Sequence, residues 1–275
     1  MRFESGRGWA AGSAVLVAAA LALAGCGGDE EEGGGGGAGG GGAPSVDLVN
    51  DGKITTCTHM PYKPFQFEQG GKIVGFDVDM IDLVAKELGV TQAIVDTPFE
   101  GIQSGEDLNA RKCDIAAAAM TITPEREEKI TFSAPYFDAN QALLVKKGSG
   151  IESFEDLQGQ TLGVQSGTTG KDYAEENAQG VELKDYEDLA LQLSSVKSGQ
   201  VPAAINDIPV LLDYVKSNPE LEVAAQYETG EQYGFGMKKG TSDELKTVVD
   251  QVIEQAKTDG TYDRIYEKWF GAKPE

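Results

Sequence analysis

The sequence predicts an α/β protein with two similar lobes. Short β-rich segments alternate with amphipathic helical segments, and this alternation is typical of α/β folds with mostly parallel sheets. A weak internal repeat indicates two lobes, because residues 108–118 and 196–204 each run from a helix end through a turn into an alanine-rich strand. Ligands of such folds bind at the carboxyl ends of strands, so two lobes would hold a ligand in the cleft between them.

Strands are predicted where short β-branched or apolar runs occur, at 53–58, 94–97, 114–120, 142–145 and 161–164. The 114–120 run consists mostly of small apolar residues, as expected of a strand that is covered on both faces.

Helices are predicted from apolar side chains at helical spacing. Residues 76–88 carry such a stripe, and Gly89 provides a stop signal. Three more helices are expected at about 168–179, 188–198 and 208–217. Two helices close the chain, one after a capping-box pattern at 241–244 and one over the aromatic stripe at 262–269.

The N-terminus has the features of a secretory signal. Arg2 and Arg7 precede an apolar run over 9–24, which is too short for a confident membrane span and suits a signal-peptide core. The string Leu-Ala-Gly-Cys that ends at Cys26 resembles a bacterial lipobox and implies cleavage after residue 25 and a lipid on Cys26. The alternative is an uncleaved anchor helix with an incidental cysteine. Both interpretations place the rest of the chain outside the cytoplasm, attached to the cell membrane.

Glycine is concentrated next to this signal. Of the 36 glycines, 15 lie before position 43. A stretch of this composition buries no apolar area, so residues 26–43 are expected to form a flexible tether after a signal peptide over 1–25. The globular part would begin at residue 44.

The charge balance excludes several classes of partner. The chain carries 45 acidic and 23 basic side chains, for a formal charge of −22. Nucleic-acid binding and a basic membrane-binding face both need clustered Lys and Arg, so neither is expected. His59 is the single histidine, which argues against a multi-His metal site.

Two cysteines, Cys57 and Cys113, are left besides Cys26. In an oxidising compartment such a pair suggests a disulfide, and two buried free thiols are the alternative.

Five motifs follow one another along the chain, namely GFDVDM, AMTITPER, GVQSGTTG, IND and GTYDRIYEKWFG. Together they resemble the extracytoplasmic solute-binding proteins of polar amino-acid ABC importers, over nearly the whole globular part. The resemblance implies a periplasmic-binding-protein-like fold of type II, whose two lobes are joined by hinge crossovers near 136–140 and 229–233. Lobe 1 would comprise residues 44–138 and 233–275, and lobe 2 residues 139–232.

The same resemblance implies a function. A monomeric, non-enzymatic receptor would close on a polar L-amino acid and deliver it to the permease subunits of the importer, without a cofactor. An amino acid is a zwitterion, so its site needs donors for a carboxylate and an acceptor for an ammonium group. Arg126 offers a planar fork of N–H groups and corresponds to the carboxylate ligand of the family. Its alternative role is a surface arginine paired with Glu125 or Glu128.

The other implied ligand contacts lie at strand ends. Thr121 is expected to donate its N–H to the carboxylate and to accept from the ammonium, which the Ala119 carbonyl also faces. Thr169 is expected to donate its N–H from a helix start, and the alternative is a plain turn that Thr168 caps. Asp207 is expected to face the ammonium, although it also suits a helix N-cap because Ile-Pro follows it.

Aromatic residues would enclose the ligand side chain. Tyr62 and Phe99 each follow a proline and are expected to sandwich it, while His59 and Gln165 occupy positions that vary with the ligand among relatives. The implied ligand set is His59, Tyr62, Phe99, Ala119, Met120, Thr121, Arg126, Gln165, Thr168, Thr169 and Asp207.

Other functions stay open at this point. An enzyme on the same fold, such as a prephenate or arogenate dehydratase, would need a general acid, and the cleft segments offer no acidic residue beyond Asp207. A detached ligand sensor and a receptor for a non-standard amino-acid-like solute are further alternatives. The loop at 166–170 lacks the lysine and the glycine spacing of a phosphate-binding loop, so nucleotide binding is not expected.

Overall fold

The computed structural model describes residues 46–240 and 242–273. The predicted signal peptide, the predicted tether and Cys26, the predicted site of lipid attachment, lie outside the described residues. Within the described part of the chain, no helix combines the length and the hydropathy that crossing a membrane requires.

The described residues form twelve strands and nine α-helices. The strands are β1 (Lys53–Thr58), β2 (Phe67–Gln69), β3 (Lys72–Val74), β4 (Thr91–Asp96), β5 (Ile115–Ala116), β6 (Ile130–Phe132), β7 (Phe137–Lys146), β8 (Thr161–Gln165), β9 (Glu182–Tyr186), β10 (Ala203–Asp207), β11 (Leu221–Tyr233) and β12 (Gly236–Lys238). The helices are α1 (Phe76–Glu87), α2 (Phe99–Gln103), α3 (Glu106–Asn109), α4 (Pro124–Glu127), α5 (Thr169–Asn177), α6 (Leu189–Ser198), α7 (Ile208–Ser217), α8 (Asp243–Thr258) and α9 (Thr261–Phe270).

The larger strands build two five-stranded sheets. The first has the order β4-β1-β5-β12-β6 and the second the order β11-β7-β10-β8-β9. In the first sheet β1 pairs parallel with β4 and β5, whereas β12 pairs antiparallel with β5 and β6. In the second sheet β8 pairs parallel with β9 and β10, whereas β7 pairs antiparallel with β10 and β11.

The expectation of mostly parallel sheets is therefore wrong, because both sheets are mixed. A parallel pair forms where a helix connects two neighbouring strands, as α5 connects β8 to β9. In each sheet one strand runs against the other four, namely β12 in the first sheet and β7 in the second.

The chain passes between the sheets at two adjacent places. The start of β7 pairs with the end of β11, with Phe137 opposite Tyr233 and Ala139 opposite Glu231. The Tyr136 N–H also donates to the Tyr233 carbonyl over 3.0 Å. The two crossovers predicted near 136–140 and 229–233 thus lie side by side as one antiparallel ribbon.

Helix α1 follows its predicted pattern. Met80, Ile81, Val84 and Ala85 are buried, and the chain turns at Gly89 with a φ of 68°. The capping-box prediction for α8 does not match the structure, because Ser242 occupies the N-cap position and its side chain makes no capping bond. Thr241 itself lies outside the described residues.

The predicted strand at 114–120 is wrong in length, since β5 contains only Ile115 and Ala116. The residues up to Thr121 remain buried, but the chain leaves the sheet, and Ala119 adopts a φ of 47°. A positive φ is incompatible with a regular strand.

A disulfide joins Cys57 in β1 to Cys113 just before β5. Both cysteines are buried, and their Cα atoms lie 5.6 Å apart. The bond ties the carboxyl-terminal part of β1 to the segment that leads into its neighbour β5.

Candidate functional site

A cavity lies where the carboxyl ends of strands from both sheets meet. Strand β1 leads into it from the first sheet, and β8 and β10 lead into it from the second. Its lining residues are His59, Tyr62, Gln66, Phe99, Ala118, Ala119, Thr121, Arg126, Gln165, Thr168, Thr169 and Asp207. The structure therefore brings together ten of the eleven residues in the predicted ligand set.

Met120 is the member of that set that does not line the cavity. Its side chain is 1% exposed and belongs to a core cluster with Ile130 and Phe132. Its methyl carbon lies 3.0 Å from where a Cβ on Gly236 would be. Met120 is therefore part of the core, while its neighbours Ala119 and Thr121 line the cavity.

Two lining residues were missed by sequence reasoning, Gln66 and Ala118. Gln66 continues the loop that contains Tyr62, and it is 1% exposed. Ala118 immediately precedes Ala119. Both lie beside residues that motifs had marked, and extending each marked segment by one residue would have included them.

Arg126 is buried and crosses from one sheet to the other. Its Nη1 donates to the Thr121 carbonyl over 2.7 Å, and its Nη2 donates to the Gly167 carbonyl over 2.9 Å. The guanidinium also lies 5.6 Å from the ring centroid of Phe99. With 6% of its surface exposed, Arg126 does not fit the alternative of a surface arginine.

Burial has the largest effect on the pKa of Arg126. It lowers the pKa of the guanidinium, while the nearby carboxylates of Asp172, Asp207 and Glu231 raise it. A buried cation without a full counter-charge favours an anionic ligand. The short helix α4 holds Arg126 and has Thr123 as its N-cap, whose side chain accepts from the Arg126 N–H.

Asp207 is the matching buried anion, at the end of β10. It occupies the N-cap position of α7, but its side chain makes no capping bond. Its carboxylate instead accepts hydrogen bonds from the Tyr62 hydroxyl at 2.7 Å, from the Tyr233 hydroxyl and from Gln141 Nε2. Asp207 therefore occupies the N-cap position by its backbone alone, and its carboxylate is available to the cavity.

Burial raises the pKa of Asp207 to about 6, and the negative charge of Glu231 adds to this effect. The three donors to the carboxylate act in the opposite direction. An ammonium group beside Asp207 would offset both the lost hydration and the repulsion.

Glu231 links the two sheets from the second crossover. Its carboxylate accepts from the hydroxyls of Thr121 at 2.8 Å and Thr169 at 2.7 Å. Gln141 Nε2 donates to it over 3.2 Å. Sequence reasoning missed Glu231, although an acidic residue inside a predicted crossover was a signal that could have identified it.

The loop after β8 serves two purposes at once. Thr168 is the N-cap of α5 and accepts from the Lys171 N–H over 3.3 Å. Thr169 is the first residue of the helix and lines the cavity beside Thr168. Free N–H groups at the start of this helix suit a carboxylate.

A buried carboxylate supports the turn at Ala119 from behind. Asp77 is fully buried and accepts from the Ala119 N–H at 2.8 Å and from the Tyr136 hydroxyl at 2.7 Å. Burial raises the pKa of Asp77 to about 7. Asp77 thus ties the site backbone to the first crossover. Among the described residues, no cluster of three or more His, Cys, Asp or Glu side chains is arranged to hold a metal ion.

Comparisons with known proteins agree with this architecture. A family model described as bacterial extracellular solute-binding proteins, family 3, matches residues 54–272. The L-cystine-binding protein TcyJ of Escherichia coli strain K12 is 35% identical over 215 residues, which cover 77% of this chain and 80% of that protein.

Solved structures give the same result. An ancestral arginine-binding protein, solved bound to arginine and bound to glutamine, has a TM-score of 0.76 and 41% identity in both cases. The match covers 80% of this chain and 99% or 98% of that chain. The ancestral amino acid-binding protein AncCDT-1, a precursor of cyclohexadienyl dehydratase, has a TM-score of 0.72 at 39% identity, covering 80% of this chain and 95% of its own. These likenesses confirm the predicted two-lobed fold with two crossovers.

Proposed function

The chain belongs to the bacterial extracellular solute-binding proteins of family 3, and from that premise we propose that it binds a polar L-amino acid and delivers it to the permease of an ABC importer. One observation carries the proposal. Arg126 and Asp207, a buried cation and a buried anion, line the same cavity. That pair matches the two charges of a free amino acid.

The ligand carboxylate binds Arg126 and the backbone N–H groups of Thr121 and Thr169. Arg126 has five N–H donors, so the two carbonyl contacts within the protein leave donors for a carboxylate. The ligand ammonium binds Asp207 and the Ala119 carbonyl. Buried charges are costly unless they are paired, so each end of the ligand stabilises a group that burial has perturbed.

The aromatic residues Tyr62 and Phe99 enclose the ligand side chain, and His59 and Gln165 contact it. All four residues line the cavity. Thr168 contributes through its position at the start of α5. This assignment follows the predicted ligand set apart from Met120.

Binding is coupled to closure of two lobes, residues 44–138 with 233–275 and residues 139–232. The first sheet takes its strands from the former ranges and the second sheet from the latter, apart from the shared ends of β7 and β11. The ligand contacts residues of both lobes and therefore favours the closed arrangement over an open one.

The protein acts outside the cytoplasm as a monomeric lipoprotein, held to the membrane through a lipid on Cys26. Support for this part comes from the lipobox-like sequence and from the family, whose members are extracellular. A Cys26→Ser variant that still fractionates with membranes would contradict the lipid anchor.

The protein binds its ligand without transforming it. The similar protein AncCDT-1 is an ancestral amino acid-binding protein and a precursor of cyclohexadienyl dehydratase. In this cavity the lining carboxylate is Asp207, which already accepts three hydrogen bonds and serves the ligand ammonium. Turnover of arogenate or prephenate by the purified protein would overturn this conclusion.

A thermal-shift screen of the purified protein against the standard amino acids tests the function directly. A ligand that binds only the folded state raises the melting temperature, so at least one polar L-amino acid should do so. A screen in which none raises it, or in which only non-standard solutes do, would contradict the proposal.

A further inference from the structure

His59 presents an unpaired hydrogen-bond acceptor in the cavity wall. Its Nδ1 lies 3.0 Å from the Thr97 carbonyl, which can only accept, so Nδ1 carries the ring hydrogen. In the neutral ring Nε2 then bears a lone pair. This Nε2 is buried and has no hydrogen-bond partner among the described residues.

Gln66 presents a second unpaired hydrogen-bond acceptor in the cavity wall. Its side chain is 1% exposed, and its Nε2 donates over 3.5 Å to the His59 carbonyl. The opposite amide orientation would place two oxygen atoms against each other and is therefore disfavoured. The other amide atom, Oε1, is buried and finds no partner in the part of the chain that the structure describes.

Both residues line the cavity that holds Arg126 and Asp207. Buried polar atoms without partners are rare in folded proteins, and each needs a physical explanation. The carboxylate and the ammonium of the ligand are served by Arg126 and Asp207. The acceptors on His59 and Gln66 are therefore available to the ligand side chain.

We propose that His59 Nε2 and Gln66 Oε1 accept hydrogen bonds from the ligand side chain, so that the protein selects amino acids whose side chains end in N–H donors. Carboxamides and guanidinium groups share this chemistry. A side-chain carboxylate would place its oxygens against two acceptors, and an apolar side chain would leave both acceptors unpaired. The inference rests on the proposed function and narrows its ligand class.

Calorimetric titration of the wild-type protein with pairs of similar size tests the proposal. Glutamine is compared with glutamate, and arginine and glutamine are each compared with methionine. We expect glutamine or arginine to bind at least about a hundredfold more tightly than glutamate and methionine, because sites built for hydrogen bonding discriminate strongly against ligands that leave them unpaired. Comparing the affinities for arginine and for glutamine shows whether the site prefers a guanidinium group or a carboxamide.

The outcomes separate this inference from the proposed function. If glutamate, methionine or another amino acid without a side-chain N–H binds best, the donor selectivity is wrong and the function stands. If no amino acid binds, both are wrong.

A variant pair gives an independent check. Gln66→Met keeps a similar shape and removes Oε1, so the preference for glutamine or arginine over methionine should fall by about tenfold. Gln92→Met is the matched control, because Gln92 Oε1 also lacks a partner within the described residues and lies outside the cavity lining. An unchanged preference in Gln66→Met, with the melting temperature of the unliganded protein retained, would overturn the proposal.

Discussion

The hydroxyl of Tyr62 lies 2.7 Å from a carboxylate oxygen of Asp207, across a separation of 145 positions in the sequence. Tyr62 follows β1 of the first sheet, and Asp207 ends β10 of the second. The contact therefore holds together the two ends from which the cavity is built. It also means that the group proposed to bind the ligand ammonium is itself part of the junction between the sheets.

Asp207→Asn should weaken ligand binding strongly. The substitution keeps the shape but removes the charge that faces the ammonium, and the loss should be about 2–4 kcal/mol, or roughly thirtyfold to a thousandfold in Kd. Titration calorimetry measures it. Asp156→Asn is the control, because it changes an exposed carboxylate outside the cavity lining, and it should leave Kd unchanged within error. Equal affinities for Asp207→Asn and wild type would contradict the ammonium assignment.

Ligand affinity should fall in mildly acidic solution. Asp207 must be ionised to pair with the ammonium, and its pKa in the free protein is raised to about 6. Protonation therefore competes with the ligand below that pH, by up to about tenfold in Kd for each pH unit. Titrations between about pH 5 and about pH 8 test this.

Glu231→Gln should shift that acid transition to lower pH. The negative charge of Glu231 contributes to the raised pKa of Asp207, and the substitution removes it while retaining a group that can accept from Thr121 and Thr169. A Kd that is independent of pH in wild type, or a transition that Glu231→Gln leaves in place, would show that Asp207 does not control binding.

Asp77→Asn should change how stability depends on pH. The pKa of Asp77 is raised from 3.8 to about 7, so ionising it costs more in the folded protein than in the unfolded chain. The contribution of Asp77 to the stability of the wild type therefore falls as pH rises from about 4 through about 7, by up to about 4 kcal/mol. Asparagine cannot ionise, and it can still accept from the Ala119 N–H.

Denaturant unfolding of both proteins at several pH values measures this difference. The unfolding free energy of Asp77→Asn should improve relative to wild type as pH rises. Parallel stability curves for the two proteins would show that the Asp77 carboxylate is not perturbed by burial.

Removing the disulfide should destabilise the protein. Cys57 and Cys113 are 56 positions apart, and closing a loop of that length in the unfolded chain contributes about 3–4 kcal/mol. Thermal unfolding should show a lower melting temperature for wild type under reducing conditions. A Cys57→Ser/Cys113→Ser double variant should not respond to the reductant, and a response of equal size would mean that the reductant acts elsewhere.

The two charged residues Arg126 and Asp207 were predicted from the sequence, because they lie in recognisable motifs and their charges suit a zwitterionic ligand. The sequence did not predict Tyr233, Gln141 and Glu231, which reach the site only through the pairing of β7 with β11. A single position in a long strand does not show which distant residue it will contact. The longer helices α1 and α5–α9 were predicted because their periodicity is local, whereas the short helices α2 and α3 were not predicted.

The strand at 114–120 shows a different reason for failure. Its apolar composition predicts a buried strand, and burial is observed, but the positive φ of Ala119 depends on the buried Asp77. That interaction joins positions 42 apart and leaves no local pattern. The sheet topology was mispredicted because alternation of strands and helices does not show which strands cross between sheets.

The measurement that bears most directly on the central claim is ligand-induced thermal stabilisation of wild type and Arg126→Ala, with the amino acid that gives the largest shift in the screen. Arg126 is the buried cation opposite Asp207, and its loss leaves the ligand carboxylate without a counter-charge. We expect a clear rise in the wild-type melting temperature and no rise for a folded Arg126→Ala at the same ligand concentration. An equal rise in both proteins would contradict the claim that Arg126 and Asp207 together bind a zwitterion.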